Sequence, residues 1–142
     1  MPNNKSSFLE GIVLDFLYGL GDFAATYDSL ADVTGETNIE FAIFKGDPEG
    51  AGVEVAGGSY ARVPVAFGAA EWTRSGSQVV NDNDIDFGTA TADWAASPNA
   101  ATHIAAFVGS DLVYSQAMVA PRFILNGDPF RIVAGAWQHT ED

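Results

Sequence analysis

A chain of 142 residues that is 47 % hydrophobic and 18 % charged can bury a core of its own, and these fractions exclude a disordered protein. Its net charge of −13 comes from nineteen acidic and six scattered basic residues, which argues against binding to nucleic acid or to anionic membranes. Zero cysteines exclude disulfides, thiolate catalysis and zinc–thiolate sites.

Targeting segments are also missing from the sequence pattern. No apolar run reaches the roughly 18 residues of a membrane-spanning helix. The N-terminus lacks the basic region, apolar stretch and small-residue cleavage site of a secretory signal. We therefore expect a soluble protein that does not enter a membrane.

The first predicted element is a helix over the stretch SSFLEGIVLDFLYGLG. Its apolar residues recur at three- and four-residue spacing, and Ser7 with Glu10 forms a capping box. Gly19 and Gly21 end the helix, because glycine readily adopts the left-handed conformation found there. The apolar face must pack on the chain's own core or on a neighbouring subunit. The first is favoured, since such packing stabilises most protein helices.

Alternating apolar residues replace the helical spacing from Asn38 onward, and glycine, proline and aspartate separate the apolar stretches. About six to eight short strands after a single helix are typical of a mainly β protein, either an antiparallel β-sandwich or a jelly-roll-like barrel. We assign residues 1–37 to the N-terminal helix and a connecting segment, and residues 38–142 to the β-sandwich domain, as one structural unit.

Individual strands follow from the period-two pattern. Pro64 lacks a backbone N–H and therefore predicts an edge strand. The stretch around Ile104 is apolar on both faces, which predicts a central strand. TRSGSQVVNDN is interpreted mainly as a turn, and NGDP at residues 126–129, between two apolar strands, predicts a hairpin. The side chains expected to face the core are Ile39, Phe41, Ile43, Val63, Val65, Phe67, Ile85, Phe87, Ile104, Ala106 and Val108.

The stretch NDNDIDFG raises the question of a metal site. Asp82, Asp84 and Asp86 have the spacing of the first ligands in a calcium loop of the EF-hand type. That loop needs glycine at its sixth position, where this chain has Phe87, and no helical pattern flanks it. Ile85 and Phe87 instead alternate with the acids, as on a half-buried strand. We favour the strand and keep the three aspartates as calcium candidates.

Catalytic side chains show no recognisable arrangement in the sequence. His103 lies in an apolar strand, where a structural histidine is the usual case, and His139 is expected to be solvated near the terminus. No serine lies in a nucleophile elbow. The glycine-rich EGAGVEVAGG lacks the lysine and helix of a phosphate loop and is interpreted as a turn. We predict a protein that is not an enzyme and holds no cofactor.

Aromatic residues offer a second kind of site. Trp72, Trp94 and Trp137, together with Tyr60 and Tyr114, are of the type that stacks on sugar rings. Tryptophan side chains are, however, highly buried on average in folded proteins. Core packing is therefore the favoured interpretation, and a carbohydrate-binding surface is the alternative.

Four stretches occur in the order found in small structural proteins of tailed bacteriophages: LEGIVLDFLYG, IEFAIFKGDP, EVAGGSYARVPVAFGAAEW, and FGTATADW followed by ATHIAAF. The closing stretch APRFILNGDPFRIVAGA is also similar. The blocks that carry most of the likeness are Gly58 with Tyr60, Ala61 and Arg62, and residues 91–94. Over nearly its whole length the chain resembles phage structural proteins of the tail-fibre or virion type.

The resemblance implies a non-enzymatic virion protein that is assembled in the host cytoplasm. A capsid decoration or cement protein is the expected role, and a tail or tail-fibre component is the alternative. A carbohydrate-binding module is the alternative that the aromatic residues leave open. The expected partners are copies of the chain and either the major capsid protein or tail proteins, with a glycan as a further candidate. The residues expected at interfaces are Phe8, Ile12, Phe16, Tyr60, Arg62 and Trp94.

Overall fold

The computed structural model describes residues 7–20 and 34–141, and for residues 7–12 it describes the backbone only. Within these residues the chain forms one helix and ten strands. The helix α1 spans Ser7–Tyr18, and the strands are β1 Asn38–Lys45, β2 Val53–Glu54, β3 Val63–Ala66, β4 Trp72–Ser75, β5 Gln78–Asn81, β6 Ile85–Thr89, β7 Ala101–Val108, β8 Asp111–Arg122, β9 Pro129–Ile132 and β10 Gln138–Thr140.

The paired strands of the described residues are all antiparallel. Four strands of the five-stranded sheet have the order β2-β1-β7-β8. The fifth strand, β3, pairs with the same edge of β1 as β2 does, but at the other end of β1. β4, β5 and β10 form a three-stranded sheet, and β6 pairs with β9. The prediction of a mainly β, antiparallel sandwich with one N-terminal helix is confirmed.

Side chains from all three sheets meet in one hydrophobic core. Ile39, Phe41 and Ile43 enter it from β1, as their alternation predicts. The ring of Phe41 contacts those of Trp72 and Trp137, with centroid separations of 5.8 and 4.9 Å. Because each of these side chains removes a large apolar area from water, their contact stabilises the packing of the five-stranded sheet against the three-stranded one.

β1 and β7 are buried on both faces. On the face away from the main core, Ala42 and Ala105 are fully buried, and the rings of Phe44 and Phe107 stack at 6.0 Å. β7 lies between β1 and β8, so the prediction of a central strand is confirmed. Pro64 lies on β3, which pairs with β1 alone among the described strands, in agreement with an edge position.

The helix ends at Gly19, as predicted, and this residue has a φ of 66°. The N–H of Leu20 donates to the carbonyl of Asp15 at 2.8 Å, and the N–H of Gly19 donates to that of Phe16 at 3.4 Å. These are the two hydrogen bonds of a Schellman cap, which satisfy carbonyls that the helix itself cannot. Gly21 and the side chains of the predicted capping box lie outside the described residues.

α1 packs on the core of its own chain, the favoured of the two sequence-based alternatives. Leu14 and Tyr18 are 0 % and 2 % exposed and belong to the main core. The carbonyl of Tyr18 accepts a hydrogen bond from the N–H of Gly68 at 2.8 Å. Asp15 forms an ion pair with Arg74 of β4. These contacts place the helix across the three-stranded sheet.

The stretch TRSGSQVVNDN is a hairpin, so its interpretation mainly as a turn is wrong. β4 pairs with β5, with Trp72 opposite Asn81 and Thr73 opposite Val80. The reversal between the strands is short because Gly76 adopts a φ of 63°. Three consecutive exposed polar residues on β4 break the alternation that would have marked this strand in the sequence.

The predicted hairpin at residues 126–129 is also wrong. The turn exists, with Gly127 at a φ of 94° and a hydrogen bond of 2.9 Å from the N–H of Asp128 to the carbonyl of Leu125. β8, however, pairs with β7, whereas β9 pairs with β6. Turn residues determine where the chain reverses, but contacts distant in sequence select the strand that the returning segment joins.

Candidate interaction surface

Of the six residues expected at interfaces, the four whose side chains the structure describes do not form one surface. The side chains of Phe8 and Ile12 lie outside the described residues, and Phe16 is half-buried on α1. Trp94 is only 2 % exposed and belongs to the core. The other two residues come together in a polar network on the edge of β1.

That network fills the gap between β2 and β3, which pair with different parts of β1. β2 lies inside the glycine-rich stretch EGAGVEVAGG, so interpreting the whole stretch as a turn was wrong. The N–H of Ile43 donates to the phenol oxygen of Tyr60 at 3.1 Å. The Tyr60 hydroxyl donates in turn to Oε1 of Glu54 at 2.8 Å. Burial raises the pKa of Tyr60, so its hydroxyl remains a donor.

Arg62 completes the network with a two-point ion pair. Its Nε and Nη2 donate to Oε1 and Oε2 of Glu54 at 3.0 and 2.8 Å. Its guanidinium lies 4.0 Å from the ring centroid of Phe107, and Glu40 is a more distant partner at 3.8 Å. Burial pushes the pKa of Glu54 upward, but the hydrogen bonds from Arg62 and Tyr60 outweigh burial and lower it. The hydrogen bond to Glu54 raises the pKa of Arg62.

This arrangement gives Tyr60 and Arg62 a structural task inside the subunit. Both side chains direct donors at Glu54, and all three residues lie where β2 and β3 meet the edge of β1. A carboxylate with a lowered pKa is a poor proton acceptor. The network is therefore better suited to holding β2 and β3 on the edge of β1 than to acid–base catalysis.

The strand interpretation is confirmed for β6, where Ile85 and Phe87 are buried and Asp86 is exposed, whereas Asp84 is exposed in the short connection between β5 and β6. The carboxylate of Asp84 accepts from the N–H of Ala134 at 2.9 Å. The carboxylate of Asp86 accepts from the N–H of Gly88 at 2.7 Å. Asp82 is exposed as well. In the described part of the chain, no three His, Asp or Glu side chains lie close enough together to hold a metal ion.

His139 is only 2 % exposed, so the expectation of a solvated histidine is wrong. Its Nδ1 lies 3.0 Å from the hydroxyl oxygen of Tyr18, and its Nε2 lies 3.1 Å from the carboxylate of Glu141. Its ring stacks on that of Tyr114 at 3.7 Å. The sequence holds one signal of this burial, since His139 follows Trp137 at the two-residue spacing of one strand face. Tyr18 is 121 positions away, beyond any local pattern.

The three tryptophans are buried, which confirms the core interpretation. The ring of Trp94 contacts that of Tyr60 edge-on at 5.5 Å. These tryptophans therefore do not form the exposed platform that sugar stacking needs. His103 is half-buried, and its Nδ1 lies 2.8 Å from the hydroxyl oxygen of Thr102, an arrangement that fits a structural histidine.

Exposed apolar side chains occur on β8 and in the segment that follows it. Val119 is fully exposed, and Phe123 and Leu125 are 46 % and 43 % exposed. A groove of about 250 Å³ separates β8 from the segment that runs from β9 to β10. Apolar surface of this kind commonly marks a contact with another protein. The groove is lined by residues that include Met118, Val119, Phe130, Ile132, Val133 and Trp137.

Comparison with known protein families matches residues 27–140 to Podophage GP4 fiber I protein gp80. The match covers well over half of the chain and includes all of the described strands. The chain belongs to this family. Comparison with curated proteins finds no match.

Membership in the fiber I protein gp80 family confirms the resemblance to structural proteins of tailed phages. It also supports the tail-fibre alternative better than the capsid decoration protein that was the first expectation from sequence. In the parts of the gp80-family chain that the structure describes, no helix has the length and hydropathy to cross a bilayer.

Proposed function

We propose that this protein is a non-enzymatic structural subunit of a tailed-phage fibre and a component of the virion. The family match over residues 27–140 carries the proposal, because it includes the whole described β-sandwich. Its partners are further copies of the chain and other tail proteins. A capsid decoration or cement role, which the resemblance implied, has no comparable support.

The side chains with shifted pKa values support a structural role. Burial raises the pKa of Tyr18, whose hydroxyl accepts a hydrogen bond from Nε1 of Trp137 at 3.2 Å and lies beside His139. Glu54 and Arg62 form an ion pair on the edge of β1. These groups serve packing and strand placement, whereas a catalytic acid or base must reach a substrate.

Immunogold electron microscopy of purified phage particles tests the proposal. An antibody raised against this chain is expected to label the fibres, and particles of a phage that lacks its coding sequence serve as the control. Label on the head would support the capsid alternative instead. Particles that carry no label would overturn the assignment to the virion.

A further inference from the structure

β8 carries a large bulge beside the groove that separates it from the segment running from β9 to β10. Ala117 of β8 lies opposite His103 of β7, and Arg122 lies opposite Ala101. Between these two pairs, four residues of β8 face the single residue Thr102 of β7. A bulge of this kind bends its strand and re-aims side chains away from the regular ladder. One wall of the groove is therefore built from residues that the pairing with β7 does not fix.

The four bulge residues, 118–121, are all apolar, and three of them are exposed. Val119 is fully exposed, and Val133, on the other wall of the groove, is 49 % exposed. Met118 and Ile132 line the groove beside them. Exposed apolar side chains that line a depression together commonly mark a place where another molecule binds. The groove is therefore a candidate docking site.

The charge around the groove differs from that of the rest of the chain. Residues 112–140 contain only one of the nineteen acidic residues, Asp128, and two of the six basic residues, Arg122 and Arg131. The carboxylate of Asp128 accepts from the N–H of Leu125 at 2.9 Å. Both arginines line the groove, and none of the described residues that line it is acidic. A single negative group can therefore bind here despite the net charge of −13.

The two guanidinium groups keep donors that a ligand can use. Nη2 of Arg122 donates to the carbonyl of Pro129 at 3.2 Å, and its guanidinium lies 5.4 Å from the ring centroid of Phe130. Nη1 of Arg131 lies 3.4 Å from the carboxylate of Asp84, and the arginine side chain is 61 % exposed. A guanidinium has a planar fork of N–H donors that matches a carboxylate. The contacts that the structure describes occupy only part of each fork.

The lining of the groove favours a protein segment over a sugar or a nucleic acid. Its two described aromatic side chains, Phe130 and Trp137, are 4 % and 1 % exposed, too buried to stack on a sugar ring or a base. The net charge of the chain also repels nucleic acid. The volume of about 250 Å³ is below the roughly 300–1,000 Å³ of sites that enclose a whole small molecule. It suits a few side chains of an extended segment.

We propose that this groove binds an extended segment of another protein, with an apolar side chain between Val119 and Val133 and one carboxylate on Arg122 and Arg131. A strongly acidic segment is disfavoured, because the rest of the chain would repel it. The inference rests on the proposed function for the identity of that protein as a tail component, and it adds the chemistry of the segment that docks.

Pairs of synthetic peptides test this chemistry on the full chain. A set of capped, fluorescently labelled octapeptides carries leucine and valine at varied positions around one aspartate, and each peptide has a partner in which asparagine replaces the aspartate. Fluorescence anisotropy should show that the aspartate member of a pair binds at least about threefold more tightly. Absence of binding by every peptide up to about 1 mM, or equal binding of both members, would overturn the proposal.

Charge-matched variants test the location. Val119→Asp and Val133→Asp place a carboxylate in the groove, and each should weaken binding of the aspartate peptides at least about tenfold. Val53→Asp adds the same charge at a valine that is 60 % exposed on β2, on the opposite edge of the sheet from β8, and should have little effect. Thermal unfolding at the wild-type temperature shows that the variants fold. Equal losses in all three would show that binding does not occur in the groove.

Neutralising substitutions test the arginines. Arg122→Gln and Arg131→Gln should reduce the difference between aspartate and asparagine peptides, because the guanidinium that favours the carboxylate is lost. Lys45→Gln removes the same charge at the end of β1 and should preserve that difference. A difference that all three variants preserve would contradict the role of the arginines.

Two outcomes separate this inference from the alternatives. Association between copies that is lost in Val133→Asp but kept in Val53→Asp would assign the groove to a second copy and overturn the proposed partner. Fibres that are labelled by the antibody, with no peptide bound by the chain, would overturn this inference and leave the proposed function standing. Peptide binding by a chain that is missing from the particles would overturn the proposed function instead.

Discussion

Glu54 illustrates how the environment of one residue sets its role. The carboxylate is half-buried, accepts hydrogen bonds from Arg62 and Tyr60, and thereby ties β2 to the residues that lead into β3. Hydrogen bonds to a charged group contribute more than neutral ones, although partial exposure to water reduces their effect. The ion pair therefore stabilises an edge of the sheet that short strands alone would hold weakly.

Replacing Glu54 with Gln should lower the free energy of unfolding by about 1–2 kcal/mol at about pH 7, because the charge that Arg62 faces is lost. The pKa of Glu54 is lowered from the ordinary value of 4.5, so its contribution is complete above that pH and is lost as the pH falls through the folded-state pKa. Urea unfolding at about pH 7 and about pH 3 should show a difference between wild type and variant that shrinks in acid. Glu49→Gln, on an exposed turn, should leave the free energy of unfolding unchanged at both pH values.

Tyr18 gives a second prediction for single residues. Tyr18→Phe removes the hydroxyl that accepts from the buried Nε1 of Trp137 and lies 3.0 Å from His139, so we expect a loss of about 1–3 kcal/mol in the free energy of unfolding. Tyr114→Phe makes the same chemical change at a tyrosine that contacts His139 through its ring. It should cost less than about 0.5 kcal/mol. Equal losses in the two variants would contradict the role of the Tyr18 hydroxyl.

Among the elements, α1 is the one that joins the N-terminal segment to the β domain. Leu14 and Tyr18 are buried in the main core, and Gly68 and Arg74 hold the helix from the β domain. We therefore propose that the helix and the β domain form one structural unit, so that truncation would expose the core.

Leu14→Ala tests whether the helix and the β domain form one structural unit. The side chain is 0 % exposed, and its removal should lower the free energy of unfolding by about 2–5 kcal/mol through lost burial and a residual cavity. Val53→Ala, at a valine that is 60 % exposed, should change it by less than about 0.5 kcal/mol. Denaturant unfolding followed by tryptophan fluorescence measures both variants. A single transition is expected, and a separate early transition in the wild type would contradict one unit.

On the scale of the whole molecule, the net charge opposes the association of copies that the proposed function requires. Two copies at −13 each repel one another, and this repulsion acts over about 10 Å at 0.1 M salt. Exposed ion pairs between copies would contribute only about 0–1 kcal/mol each. This long-range repulsion should therefore dominate the salt dependence of self-association.

Association of the wild-type chain should accordingly tighten as salt is raised from about 0.02 M to about 0.5 M. Sedimentation equilibrium across this range measures the effect. Association that weakens with added salt would mean that ion pairs between copies outweigh this repulsion.

Local periodicity was enough to predict several elements. Three- and four-residue spacing predicted α1 and its end at Gly19, and alternation predicted the inward residues of β1, β6 and β7. This succeeds because the direction of a side chain depends on the backbone of its own segment, with a period of 3.6 residues in a helix and 2 in a strand. The family likeness of the sequence, too, was visible in short ordered stretches. Those features can be predicted because they depend on residues that are neighbours in the sequence.

Partners across the fold were decided only by the tertiary structure. β9 joins β6 rather than β8, His139 is buried against Tyr18, and Arg62 meets Glu54 in a stretch that had been interpreted as a turn. The backbone groups of a strand are the same whichever strand they face, so the choice depends on which side chains can be buried together. That choice is made between segments far apart in the chain, where no local pattern records it.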